Sequence, residues 1–330
     1  MNTIAFFNNK GGVGKTTLVY HIAWMLHELG YRVLAADLDP QANLTSMFLE
    51  DERLEKLWPE EVKDHLSFLP CISPILEGTG DIADPHVEEI GHNLYLIPGD
   101  LGLSNFEDKL SDSWPRCLDG DEAAFRATTA FYRIICRAAE RTDADYVLID
   151  VGPNLGALNR SALICTNHLV MPLASDLYSL QGLKNFGPTL DKWRSGWIKR
   201  QEQKPVSLSI PMPAGSMKPA GYIIMQHVER RKRPVRSYQK WVDRIPATYN
   251  EYILQASPGG QTAEQETDCI GLVRHYLSLM PMAQEARKPI FFLKPADGAI
   301  GAHAQSVHRC YMDFKRLSER LMERVGTAGV

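Results

Sequence analysis

Lys10-Gly11-Gly12-Val13-Gly14-Lys15-Thr16-Thr17 is the stretch on which the reading of this chain turns. Residues 3–8 (TIAFFN) precede it as a short apolar, β-prone run. Residues 16–29 follow with Ile22, Leu26 and Leu29 at helical spacing, until Gly30 stops the pattern. In such a strand–loop–helix setting glycines let backbone N–H groups turn inward on phosphate oxygens, and the helix presents its positive N-terminal end to the same anion. Lys15 is placed to reach the β- and γ-phosphates of a nucleotide, and the Thr16 hydroxyl to coordinate Mg²⁺. A turn that merely joined strand to helix would need neither the lysine nor the hydroxyl.

Working outward, residues 31–37 (YRVLAAD) form a second continuous apolar run, of the kind found in parallel sheets covered on both faces. Further strands are expected at 93–97, 146–149, 168–173 and 221–226, with a helix at about 122–141 and a last strand at 290–293 (IFFL). Strands alternating with helices predict an α/β fold, a doubly wound, mostly parallel sheet flanked by helices. The 330 residues are read as a single domain, 1–330, with loop insertions near 111–121 and 255–268.

Composition is ordinary for a globular chain, 44% hydrophobic and 23% charged. Six scattered cysteines without a C-x-x-C pair fit a reduced, cytoplasmic protein better than a disulfide framework or metal site. No signal peptide or membrane span is expected. Net charge is −4, yet its distribution is uneven. Residues 50–91 carry twelve acids against three Lys/Arg, whereas 228–244 carry seven Lys/Arg against two acids. One local basic patch on an acidic chain can still engage a polyanion.

Acids end two apolar runs, where a nucleotide enzyme needs them. Asp37-Leu38-Asp39-Pro40-Gln41 ends the second apolar run, and Asp150 ends the run Tyr146-Val147-Leu148-Ile149. The C-terminal ends of parallel strands face the ligand crevice. The bland alternative is that Asp37 and Asp39 simply cap or terminate a strand, a reading that weighs more for Asp37 than for Asp39, and an acid after an apolar strand is by itself a weak signal.

The pattern K-G-G-x-G-K-T-T, with Asn9 where the ordinary phosphate loop has glycine and with the additional Lys10, resembles the deviant Walker A motif of the ParA/MinD superfamily of P-loop ATPases. Asn8-Asn9-Lys10 and Asp39-Pro40-Gln41 resemble its ParA branch. That resemblance implies ATP and Mg²⁺ as cofactors, with contacts from Lys10, Gly11, Gly12, Val13, Gly14, Lys15, Thr16 and Thr17. It implies a homodimer that sandwiches ATP, with Lys10 reaching the partner's nucleotide. Asp39 would orient the attacking water and sense Mg²⁺, Thr16 and Asp150 would hold the metal, and Lys10, Lys15 and Asp39 would be the catalytic set. Residues 151–156 resemble the second switch, although Val151 and Gly152 depart from the usual D-[TS]-P-P. Residues 170–173, 180–183 and 288–291 resemble further family segments, and Pro295 to Gly298 would lie near the adenine base.

Other branches fit less well. Suitably placed cysteines for an iron–sulfur cluster are missing, and the C-terminal residues are too mild for a membrane-binding helix; Val307, Tyr311, Phe314 and Leu317 are expected to pack on the body. With the loop starting at residue 10, no helix-turn-helix domain is expected before it. Arg230, Arg231, Lys232, Arg233 and Arg236, with Lys240, Arg244, Tyr238 and Trp241 among them, read either as a non-specific duplex-DNA contact or as a solvated face with Trp241 and Val242 turned inward. The function expected is that of a slow, partner-stimulated ATPase switch in DNA partition or cargo positioning, nucleoid-associated if the DNA reading holds and activated by a small partner protein. An accessory switch in defence, secretion or polymer synthesis that never binds DNA is the alternative, and a metabolic kinase a third.

Overall fold

The structure is a computed structural model. It describes residues 1–227, 229, 230, 233, 234, 236–256 and 268–326, with backbone alone at 226, 227, 229, 230, 233, 234 and 236–238. Strands β1 (Asn2–Phe6), β2 (Val33–Leu38), β3 (Glu88–Gly91), β4 (Leu94–Ile97), β5 (Tyr146–Val151), β6 (His168–Ala174), β7 (Lys218–His227) and β10 (Cys269–Arg274) form one sheet among the described residues. Its order is β10-β7-β6-β1-β5-β2-β4-β3. Every pairing is parallel except β3 with β4. Strands β8 (Glu229–Arg230) and β9 (Arg233–Pro234) pair antiparallel in a separate ladder.

The helices are α1 (Lys15–Glu28), α2 (Asn43–Phe48), α3 (Asp51–Leu57), α4 (Phe68–Glu77), α5 (Phe106–Arg116), α6 (Glu122–Thr128) and α7 (Ala130–Thr142). They continue with α8 (Ala157–Ile164), α9 (Leu177–Gln201), α10 (Arg236–Val242), α11 (Ile245–Tyr252), α12 (Leu279–Glu285) and α13 (Ala302–Val325).

Strand periodicity builds two cores. Ile4 and Phe6 of β1 face one, with Leu18, Ile22 and Leu26 of α1 and Phe314 and Leu317 of α13. Ala5 and Phe7 face the other, with residues of α4 to α9 and α11. A strand apolar on both faces is stable only when both are covered, which explains the unbroken apolar runs. Val307 and Tyr311 pack more loosely beside Phe314 and Leu317, so the expected inner face of α13 is present. Gly30, at φ 90°, donates to the His27 carbonyl and closes α1.

Register puts the acids level with the phosphate loop. Phe6 pairs with Asp150 across β1 and β5, and Asp37 pairs with Asp150 across β2 and β5. The chain leaves β1 for β2 on one side, while β6 flanks β1 on the other. The loop therefore opens at the switch point where crevices form in such sheets.

Two expectations need correction. Residues 290–293 are no strand: Ile290–Phe292 is a 3₁₀ turn after Pro289, and the Ile290 N–H bonds to His21 Nε2 at 3.1 Å instead of to a ladder. Residues 111–121 are no loop: α5 runs to Arg116 and a 3₁₀ turn follows at Cys117–Asp119. Phe106 and Leu110 are buried on α5 one turn apart, and Trp114 continues that stripe against the core. The edge strand β10 and the antiparallel β3 were not expected. Residues 257–267 of the other expected insertion lie outside the described residues, as does Arg231.

Candidate nucleotide-binding site

Gly12 and Gly14 take left-handed conformations, φ 75° and 89°, in which a side chain is strained, and Gly14 caps α1. The loop lines a cavity of about 640 Å³ that Asp39, Asn43, Pro153, Met280 and Arg287 help to enclose. Gly11, Gly12, Val13, Gly14, Lys15, Thr16, Thr17 and Lys10 all line it.

Four predicted residues converge here, Lys15, Thr16 and Asp39 lining the cavity and Asp150 buried beneath them. The buried Lys15 ammonium donates to Asp150 Oδ1 and lies 4.0 Å from Asp39 Oδ2. The Thr16 hydroxyl donates to Asp150 Oδ2 at 2.7 Å. Burial pushes the Asp150 carboxyl pKa up, against the pull of Lys15. Asp39 Oδ1 accepts from the Gln41 N–H at 3.0 Å, which turns the chain back after β2.

Asp37 does different work. Its Oδ2 accepts from the Thr45 N–H (2.8 Å) and hydroxyl (2.7 Å), and Thr45 Oγ1 in turn accepts from the Gly99 N–H at 2.8 Å. Burial, with the neighbouring Asp150 charge, pushes Asp37 up to about 7. Asp37 therefore ties the segment after β2 to residue 99, whereas Asp39 reaches the cavity.

The oxygen donors here, Thr16, Asp39 and Asp150, suit a hard divalent cation such as Mg²⁺. Among the described residues no group of three or more His, Cys, Asp or Glu makes a self-contained cage.

Lys10 lines the cavity but is held from its own chain. Its ammonium donates to Asp176, the N-cap of α9, and lies 5.6 Å from the Tyr178 ring centre. Asn8 supports the loop by donating to the Pro172 carbonyl (2.6 Å) and accepting from the Lys10 N–H (2.9 Å). The segment 180–183 lies in α9, and a Cβ on Gly182 would come within 2.4 Å of Asn9 Oδ1. Glycine there lets α9 approach the loop.

Pro295 is not brought to the cavity. It opens a 3₁₀ turn at Pro295–Asp297, which Lys288 holds through Asp297 at 2.8 Å. The wall is instead made by Met280, Ala283, Gln284, Arg287 and Lys288. Arg287, at φ 48°, donates to the Leu49 carbonyl and to Asp51, joining this wall to α3. Sequence reasoning also missed His21. Buried on α1, it bonds the Thr17 carbonyl through Nδ1 (2.7 Å) and receives the Ile290 N–H at Nε2. Only its position one turn after Thr17 hinted at this.

Of the basic stretch, Arg230 and Arg233 lie in the β8–β9 ladder and Arg236 opens α10, each described in backbone alone. Trp241 and Val242 pack on the core, with Lys240 and Arg244 5.0 and 5.6 Å from the Trp241 ring centre. Among the described residues, no helix is long and apolar enough to cross a membrane.

Comparison with known proteins agrees with this geometry. A family profile described as an AAA domain matches residues 1–202. The sporulation initiation inhibitor protein Soj of Bacillus subtilis is 32% identical over 180 residues, 54% of this chain and 61% of Soj. The chain spans 52% to 61% of the length of the curated relatives it matches first. The crystal structure of protein DIP2308 from Corynebacterium diphtheriae superposes with a TM-score of 0.69 at 27% identity, covering 87% of this chain and 97% of that one. A plasmid partition protein of Borrelia burgdorferi, bound to AMPPNP, shares the fold with a TM-score of 0.59 at 20% identity, covering 98% of each chain.

Proposed function

We propose, on the premise that this chain belongs to the ParA family of P-loop ATPases, that it is a slow ATP-hydrolysing switch whose ATP-bound form is a homodimer. The convergence of Lys15, Thr16, Asp39 and Asp150 on one glycine loop carries the reading. Phosphoryl transfer asks the protein mainly for positioning and charge neutralisation. Lys15 supplies a cation inside the loop, Thr16 and Asp150 supply oxygens for a metal, and Asp39 is the carboxylate that faces the cavity beside them. Thr16 and Asp150 would hold Mg²⁺, which would supply charge neutralisation for the transferred phosphoryl group.

Lys10 acts on the partner's nucleotide in the dimer, after leaving Asp176. Partition or cargo positioning is the use we favour. Its support is the name of relatives such as the chromosome partitioning protein ParA of Caulobacter vibrioides, 28% identical over 212 residues, together with the basic stretch at 230–236. Non-specific duplex DNA is the expected second ligand, and a small activating protein the expected stimulator. Phosphate release from Mg-ATP tests the reading. Turnover that Asp39→Ala abolishes supports it; a wild-type chain that releases no phosphate, alone or with DNA, overturns it.

A further inference from the structure

The segment 152–156, Gly-Pro-Asn-Leu-Gly, runs from the end of β5 to α8 without a hydroxyl side chain to anchor it. Two residues outside it do so. Asn159, fully buried on α8, donates from Nδ2 to the Gly152 and Asn154 carbonyls, each at 2.7 Å. At the far end Glu107 of α5 uses both carboxylate oxygens. Oε1 accepts from the Ala157 N–H at 2.6 Å and Oε2 from the Leu158 N–H at 2.7 Å. These are charge-assisted bonds to the first amides of a helix, where the dipole also favours an anion. The fit is close, since a Cβ on Gly156 would lie 2.6 Å from Glu107 Oε1.

The other end of α5 is fixed as well. The guanidiniums of Arg160, from α8, and Arg200, from α9, lie 4.3 and 3.9 Å from the Trp114 ring centre. Arg200 also donates to the Trp114 carbonyl at 2.5 Å. Helix α5 is thus a strap tied to α8 at both ends, and the segment it restrains carries Pro153 into the wall of the nucleotide cavity.

We propose that Glu107 is a positioning residue for nucleotide sensing. By pinning the N-terminus of α8 it sets where the 152–156 segment stands against the phosphate loop, and so how well the site separates ATP from ADP. The inference rests on the ATPase reading above. Val151 and Gly152 offer no side-chain donors, and the restraint comes from outside the segment, through Glu107 and Asn159.

Glu107→Gln keeps the length of the side chain, removes its charge and sets an amide NH₂ where one acceptor stood. Glu107→Asp, which keeps the charge on a shorter arm, is measured alongside in case the first variant does not fold. Asp121→Asn is the control. Asp121 caps α6 through the Ala123 and Ala124 N–H groups and accepts from Arg116, so this change takes the charge from a helix cap away from the cavity while the asparagine oxygen can still accept. Binding of ADP and of a non-hydrolysable ATP analogue, each with Mg²⁺, is measured with turnover and thermal unfolding. For the Glu107 variants we expect kcat and the ATP-over-ADP preference to fall roughly ten-fold with ADP affinity within about two-fold, while Asp121→Asn lowers the unfolding temperature alone. Glu107 variants matching Asp121→Asn in both readouts, on a wild-type chain that turns over ATP, would overturn this inference and leave the ATPase reading standing. A wild-type chain that neither binds nor hydrolyses ATP would overturn the reading on which the inference rests.

Discussion

Asp37 and Asp150 are register partners on adjacent parallel strands, both without exposed surface, and their carboxylates engage different parts of the molecule. Asp150 meets Lys15 and Thr16, whereas Asp37 accepts from the Thr45 N–H and hydroxyl and, at 3.3 Å, from the Asp39 N–H. The relay through Thr45 to Gly99 is a stability element. Thr45→Val keeps the shape but strands the buried Gly99 N–H and removes one donor from Asp37. We expect a loss of about 1–3 kcal/mol, read as a lower urea midpoint at constant m. An unchanged midpoint would remove the relay from the account.

Asp39 separates binding from chemistry. Asp39→Ala leaves the Lys15, Thr16 and Asp150 cluster in place, so ATP should still bind while turnover falls by orders of magnitude. Single-turnover phosphate release alongside binding checks this. Wild-type turnover in the variant moves the role to another residue.

Lys10 and Asp176 form a partly exposed pair, worth about 0.2–1 kcal/mol. If Lys10 must leave it to reach a partner, Asp176→Asn should tighten ATP-dependent dimerisation by at most a few-fold at low salt. The asparagine can still accept from the Ser179 N–H, so the α9 cap survives. Lys10→Ala should bind ATP and remain monomeric. Light scattering with ATP decides, and a Lys10→Ala chain that dimerises and turns over normally makes Lys10 an ordinary loop residue.

His21 predicts a pH dependence. Its Nε2 must accept from the Ile290 N–H, so the fold holds the neutral ring, and burial lowers its pKa from 6.5 to about 4. The unfolded chain therefore binds the extra proton between these values. The stabilisation, on the order of 3 kcal/mol, is complete above pH 6.5, is lost as pH falls towards 4, and loses nothing further below. His21→Gln should flatten this part of the urea-midpoint profile; an identical slope would contradict the assignment.

What could be read in the sequence was whatever depends on local spacing. The phosphate loop, the α1 stripe of Ile22 and Leu26, and the acids ending β2 and β5 all stand where their neighbours in sequence require. Features set by distant partners were not legible. Ile290 to Leu293 is apolar enough for a strand, but Pro289 and His21 decide otherwise. Glu107 looks like any surface acid until α8 is placed beside it. The resemblance alone places Pro295 near a base, and Pro295 does not line the cavity, which Met280, Gln284 and Arg287 help to enclose.

The DNA reading has its own test. Phosphate contacts release counterions, so affinity for random duplex should fall steeply with salt and hardly vary with sequence. It should also require ATP, because pairing two weak patches raises avidity. Changing Arg230, Arg231 and Arg233 to Glu should abolish it and spare dimerisation. Anisotropy with ATP at low salt that shows no wild-type binding would favour the accessory-switch alternative.

Calorimetric titration of Mg-ATP into the wild-type chain and into Lys15→Gln tests the central claim most directly. The loop geometry predicts saturable binding by the wild type and its loss in the variant, because the phosphates lose the one ammonium buried among the loop amides. Retained micromolar affinity in a folded Lys15→Gln chain would contradict it.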